Sequence, residues 1–421
     1  MKTRPFAAAC ALVALILTAA PAFSADPPKP VPFEHPYNLV ASRILPKALL
    51  KGPHHRVEEA VASDGYMNTY TVRSRYGTYR IVSTALLATR VDEFAAMAAM
   101  DKAGGAKEYG KGVLEGGAQF VQGVANLVAH PVDTVQGAAS GVGKLFARAD
   151  ESMTGANPSK YEDSAGARLT GFAATRRAQA LAYGVDPYST NERLREKLES
   201  LSTAGYAGEM TTTGLKLLIP GGVGIAVSSV GGVNWLNQVD LSKPPVDLRM
   251  ENRDTLLSLG AGESAVWAFI DNQEYTPTQQ SFIVKSLAEL GRPGGLTTFL
   301  RLASRTENQD QALFRQRMAM MYSGYHRKVE RLRGFIRMGN LVGALSEKGR
   351  LVLCFPLDHM CWTPEVGRLA SGMESAMETF RPQAMELWVT GTASPTARKA
   401  LTDRGWVVRE KAGKQLLGET F

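Results

Sequence analysis

Between Gly104 and Ala147 the chain repeats itself with a step of 11 residues, and no other stretch restricts the fold as much. Val113, Val124, Val135 and Phe146 keep this step, as do Gly117, Val128 and Ala139, and Phe120, Pro131 and Val142. Taken together these positions advance by four, three and four, which is one stripe of a helix. At about 100° per residue, such a step closes roughly three turns, so the stripe drifts little and stays on one face. The opposite face is Gly, Gln, Asn, Ser and Thr with few charges. A helix of this kind suits a membrane surface or close packing against another helix. Val113, Phe120, Val124, Val128, Val135, Val142 and Phe146 are the candidate membrane-facing residues. Pro131 lacks the N–H that an unbroken helix needs, so the stretch is either one kinked helix or a helical pair bending at His130.

Leu215–Leu236 (LKLLIPGGVGIAVSSVGGVNWL) is a second apolar segment, with the length of a membrane span and Lys216 as its one charge. Pro220 and the glycines at 221, 222, 224, 231 and 232 weaken it as a single helix and favour close backbone approach. It reads as a buried Gly-packed helix or hairpin, or as a segment lying in a membrane.

The amino terminus has the form of a secretory signal. Lys2 and Arg4 precede an apolar core from Phe6 to Ala20, and Ala22-Phe23-Ser24 puts small residues at the positions a signal peptidase reads. Cleavage before Ala25 is expected, and the core is shorter than the roughly 17–25 residues of a spanning helix. The mature chain is then periplasmic or secreted. The net charge of +8 falls by two when Lys2 and Arg4 leave. A moderately basic exported protein favours anionic lipid or another anionic envelope component as partner, and nucleic acid is excluded by compartment. Cys354 and Cys361 are the cysteines left after cleavage, and in an oxidising compartment they read as one disulfide.

The pattern along the chain predicts an α+β fold, mainly helical. An extended tether at 25–53 leads to a small antiparallel hairpin unit and a helix at 54–103. Tyr66–Tyr76 and Thr78–Ser83 are its strands, turning at Gly77. Leu86, Leu87, Val91, Phe94, Met97 and Met100 share the helix face, which ends at Gly104-Gly105. The 11-residue period occupies 104–150, and helices with the Gly-rich segment fill 151–250. Ser189 and Glu192 form a capping box for one of these helices. A helical bundle spans 251–332, with Thr276-Pro277 opening one helix and Asn308 capping a long one. A C-terminal α/β unit with a mixed sheet fills 333–421. Its strands are Phe335–Leu345, Arg350–Phe355, Ala384–Thr390 and Gly405–Arg409, and its helices are Glu365–Phe380 and the one opened by Ser394-Pro395.

Several of these segments resemble an uncharacterised family of exported proteobacterial proteins: Asp64-Gly65-Tyr66, Tyr76-Gly77-Thr78-Tyr79, Gly184-Val185-Asp186-Pro187-Tyr188-Ser189, Tyr275-Thr276-Pro277 and Pro356-Leu357-Asp358. The resemblance spans most of the mature chain. It implies no activity and carries over no catalytic residue.

No His-Glu-x-x-His, Gly-x-Ser-x-Gly, phosphate loop or dinucleotide fingerprint is present. No cofactor is expected. The densest chemistry is Cys354-Phe-Pro-Leu-Asp358-His359-Met-Cys361-Trp362, at the end of a strand, where α/β folds place their sites. A local disulfide is the favoured reading; a redox or catalytic cysteine, a metal site, and Asp358 with His359 as catalytic candidates compete with it. The basic run Arg315, Arg317, Arg327, Lys328, Arg331, Arg333 and Arg337 is a candidate anionic-surface patch or simply a solvated helix face. The turn Thr390-Gly391-Thr392-Ala393-Ser394 can offer N–H groups to an anion. These features favour a non-enzymatic envelope protein that associates with a membrane surface or an envelope partner. A periplasmic hydrolase or transferase with its site in the C-terminal unit is the rival reading, and a toxin-like membrane-active factor is the third.

Overall fold

The computed structural model describes residues 31–105, 161, 171–207, 238–339 and 341–421. The signal segment 1–24, the 11-residue repeat beyond Gly105 and the segment 215–236 lie outside the described residues.

The described chain is α+β and mainly helical. Its N-terminal unit is larger than a hairpin. β1 (Leu39–Val40), the helical turns α1 (Ala41–Ile44) and α2 (Lys47–Leu50), and β2 (Lys51–Gly52) occupy part of the expected tether. β3 (His55–Val57), β4 (Ala60–Ser63), β5 (Asn68–Ser74) and β6 (Gly77–Val82) complete a six-stranded antiparallel sheet. β6 pairs with the full length of β5, while β4 and β3 divide its other edge between them. Short strands like these carry too little periodicity to announce themselves. Tyr70, Val72 and Ile81 bury one face of the sheet against Leu87, Val91 and Phe94 of α3 (Thr84–Gly105).

α3 continues into a helical layer with α4 (Phe172–Ala182) and α5 (Glu192–Ala207), where Met97, Met100, Ala180, Leu194 and Leu198 share a core. Arg90 of α3 reaches Thr190 just before α5, and Asp101 pairs with Lys197 further along both helices, so α3 and α5 run parallel. Ser202 of α5 donates to Gln179 of α4, across a reversal of the chain at 183–191, so α4 runs antiparallel to them. The end of α3 at Gly105, the start of α4 at Phe172 and the end of α5 at Ala207 therefore share one end of the layer.

The bundle comprises α6 (Pro245–Ser258), α7 (Glu263–Ile270), α8 (Pro277–Ala288), α9 (Leu296–Ala303) and α10 (Gln309–Lys328). Thr276 opens α8 with a complete capping box to Gln279, and the Asn308 side chain accepts from Gln311 N–H at the start of α10. α10 lies between the other helices and the C-terminal sheet, burying Met318, Met321, Tyr322 and Tyr325.

The C-terminal sheet is mixed, in the order β13-β11-β9-β8-β7. β7 (Leu332–Met338) and β8 (Leu341–Ser346) are antiparallel partners, where the sequence suggested one strand over Phe335–Leu345. The chain reverses at Gly339, whose φ of 60° lies in the left-handed region that glycine adopts without strain. β9 (Arg350–Phe355), β11 (Ala384–Val389) and β13 (Trp406–Arg409) are parallel. Beyond their carboxyl ends, β10 (His359–Met360) and β12 (Thr392–Ala393) form a small parallel pair. α11 (Pro364–Phe380) and α12 (Pro395–Thr402) are the crossovers, and Gly413–Leu417 closes the chain as a π-helical turn against α10. Among the described residues no helix is long and apolar enough to cross a membrane.

Candidate functional site

The cluster after β9 is drawn together as the sequence suggests, but its parts are put to other uses. Asp358 is buried, and its carboxylate accepts the backbone N–H of Asn68 at 3.0 Å and of Thr84 at 3.1 Å. Thr84 is the first residue of α3, so Asp358 caps that helix from the C-terminal unit. Burial pushes its carboxyl up against the pull of these donors. A Cβ on Gly391 would collide with the Asp358 carbonyl, so β12 approaches this loop as closely as a backbone can.

His359 is half-buried and held at both ring nitrogens, with Nδ1 2.8 Å from Thr392 Oγ1 and Nε2 2.9 Å from Tyr37 Oη. Burial lowers its pKa. The turn at 390–394 does face an anion, and that anion belongs to the chain itself. Glu34 accepts from Ser394 Oγ at 2.5 Å and from Trp362 N–H at 2.7 Å, while the Phe33 ring stacks on Trp362. Partial burial opposes ionisation of Glu34, but the bonds from Ser394, Trp362 and Thr396 outweigh it and hold its pKa below the ordinary carboxylate value. Residues 33–37 of the expected tether are thus docked across the carboxyl end of the sheet.

The expected disulfide finds no support: Cys354 and Cys361 are free thiols, and among the described residues no cysteine pair lies at disulfide distance. Cys354 belongs to the core between sheet and bundle, beside Tyr322, whereas Cys361 faces Gly65 of the N-terminal unit. Burial pushes both thiols up, Cys361 to about 11, so neither is a thiolate at neutral pH. Among the described residues no three His, Cys, Asp or Glu side chains come together to hold a metal ion.

The basic run does not form a patch. Arg315 is largely buried, with its guanidinium near Phe314. Arg317 makes a bidentate pair with Glu419, and Arg327 pairs with Glu289. Lys328 donates to the carbonyls of Gln415 and Leu416. Arg331, Arg333 and Arg337 stay exposed along β7, an edge strand bridged at its middle by Gly294, where charge discourages pairing with another chain. The partners of Arg317, Arg327 and Lys328 are remote in sequence, which the local spacing could not reveal. The membrane-facing candidates Val113, Phe120, Val124, Val128, Val135, Val142 and Phe146 lie outside the described residues.

One concave site is not singled out by the sequence. A cavity of about 140 Å³ lies between α3, the turn at 186–190, the first turn of α8, α10 and the C-terminal residues. Its wall holds two internally matched ion pairs. Arg90 binds both carboxylate oxygens of Glu93 at 2.8–2.9 Å, and Ser189 and Asn191 complete the hydrogen bonding of Glu93. The second pair is Arg317 with Glu419. Ser189 is therefore committed to Glu93 and does not cap α5 as the capping-box pattern suggested; Asn191 stands before Glu192 instead. Asp186 accepts through Oδ1 from Tyr188 N–H at 2.9 Å and from Thr278 Oγ1 at 2.6 Å. Burial pushes its carboxyl up to about 6, with Glu93 adding to the shift and Arg90 opposing it. The signal that could have found this site was the placement of Arg90 and Glu93 beside the apolar stripe of α3, together with an aspartate in the turn before Pro187. Comparison with protein-family models, with curated proteins and with solved structures gave no match.

Proposed function

We propose that this is an exported cell-envelope protein of non-enzymatic type, which associates with a membrane surface or an envelope partner through its Gly-rich segments 104–150 and 215–236. The observation that carries this reading is the shared end of α3, α4 and α5. The chain leaves the described residues at Gly105 and again at Ala207, and the two Gly-rich segments follow these points in sequence. Two apolar stretches tethered together can act jointly on one surface, because the second meets it at a high effective concentration. The rival reading of a hydrolase or transferase loses its expected acid: both oxygens of Asp358 are occupied by backbone donors.

Flotation of the mature chain, starting at Ala25, with phosphatidylglycerol vesicles tests the proposal. The protein is expected to rise with the vesicles, and deletion of 104–148 is expected to leave it at the bottom of the gradient. A mature chain that stays down, or a deletion without effect, refutes membrane association. Release of a trapped dye would favour the toxin-like reading.

A further inference from the structure

The cavity wall is short of hydrogen-bond donors. Gln316, on the inner face of α10, is 5% exposed and lines the cavity. Its amide nitrogen meets only the sulfur of Met320, at 3.8 Å, and its carboxamide oxygen has no partner among the described residues. Asp186 is in the same position. Both of its hydrogen bonds fall on Oδ1, which leaves Oδ2 without a donor among the described residues. Both acceptors open onto the cavity, so a molecule that displaces water there must offer them donors of its own.

Charge narrows the identity of that donor. The guanidinium of Arg90 is matched by Glu93, and that of Arg317 by Glu419. Asp186 has no cation in contact and carries its negative charge into the cavity uncompensated. Size narrows it further: a cavity of about 150 Å³ accommodates a benzene-sized molecule, and this one is comparable. We propose that the cavity between α3, α8 and α10 is a binding site for a small primary ammonium compound, whose N–H groups bond to Asp186 Oδ2 and Gln316 Oε1. Only a primary ammonium supplies one positive charge and three donors from a single small group. A carboxylate or phosphate would face Asp186 with like charge, and a neutral alcohol would leave the charge unmatched. Asp186 and Gln316 belong to neither Gly-rich segment, so the site stands or falls independently of membrane association.

The test is calorimetric titration of the mature chain at pH 7.5 with n-butylammonium, n-butanol and butyrate, without vesicles. Butylammonium is expected to bind, and the other two are not. A hydrogen bond to a charged group contributes about 1.5–3 kcal/mol, so Asp186→Asn is expected to weaken binding roughly tenfold or more. Gln316→Leu fills the same space without the acceptor and is expected to weaken it by about threefold to tenfold. Thermal unfolding of each variant establishes that it is folded, and if Asp186→Asn is not, Gln316→Leu carries the comparison. Binding of butanol as tight as that of butylammonium overturns the proposal. So does an unchanged affinity in both variants, or the absence of any heat with butylammonium up to high millimolar concentration.

Discussion

Asp358 and Thr84 stand 274 residues apart in sequence, yet both oxygens of the aspartate lie 3.1 Å from the threonine N–H. The same carboxylate holds Asn68 N–H, and the backbone N–H of Asp358 returns to the Tyr66 carbonyl at 3.0 Å. One residue thus joins the N-terminal sheet, the start of α3 and the C-terminal α/β unit. Replacing it by alanine leaves two inward-facing N–H donors without acceptors. Asp358→Ala is expected to lower the unfolding free energy by about 3 kcal/mol, and Asp358→Asn, which keeps one acceptor, by roughly half as much. Urea denaturation of the two variants measures this. Equal losses would mean that charge, and not the acceptor positions, is what the site needs.

Glu34 holds the start of α12 through the Ser394 hydroxyl, whose oxygen caps that helix by accepting from Ala397 N–H. Its lowered pKa means that the folded state holds the proton less tightly than the unfolded chain. The contribution is present at neutral pH and is lost as pH falls through the depressed pKa, below the ordinary range near 4.5. Segment 33–37 is expected to loosen in acid, and Glu34→Gln is expected to loosen it already at pH 7. Hydrogen exchange at Glu34 N–H, which bonds to the Trp362 carbonyl at 2.8 Å, reads the change directly. Exchange that is independent of pH, after correction for the intrinsic rate, would show that stacking of Phe33 on Trp362 holds the segment without help from the carboxylate.

Cys354 and Cys361 are both fully buried, and burial raises both thiols. A thiol reagent at pH 7.5 is expected to find no reactive group in the native chain starting at Ala25 and two in the same chain unfolded. Free thiols on opposite sides of one loop also mean that dithiothreitol leaves the melting temperature unchanged. A drop of several degrees on reduction would instead reveal a disulfide.

The elements legible in the sequence are those whose signals are local. The stripe of α3, the Thr276-Pro277 start of α8, the Asn308 cap of α10 and the Ser394-Pro395 start of α12 each depend on residues within one or two turns, and each is found. The Gly339 reversal was missed because the apolar run continues through it on both sides, so periodicity alone reads one strand. The site was harder still. The basic residues 315–328 pattern as a surface face until Glu419 and Glu289 arrive from elsewhere in the chain. His359 was flagged beside Asp358, but its real partners, Tyr37 and Thr392, are brought to it only by the fold. Asp186 looked like part of a turn, and nothing nearby announced that Thr278 and Gln316 would share its cavity.

Asp186 also makes a prediction about stability that needs no ligand. Its pKa of about 6 lies above the 3.8 of an unperturbed aspartate, so the folded state binds the proton more tightly than the unfolded one. Stability from this group is fully present below about pH 4 and is lost as pH rises through about 6. The shift corresponds to at most about 3 kcal/mol. Glu93 and Arg90 face Asp186 and are held as a matched pair, while Thr278 and Tyr188 donate to it in either state. Asp186→Asn keeps the Oδ1 acceptor and removes the titration. The variant is therefore expected to gain on the wild type as pH rises from 4 to 7.5, by up to about 3 kcal/mol in urea unfolding free energy. A difference between variant and wild type that stays constant across this range would mean that Asp186 ionises in the folded protein as it does in water. A saturating ammonium ligand supplies the missing counter-charge, so it is expected to shrink the same pH-dependent gap in the wild type and to stabilise Asp186→Asn less.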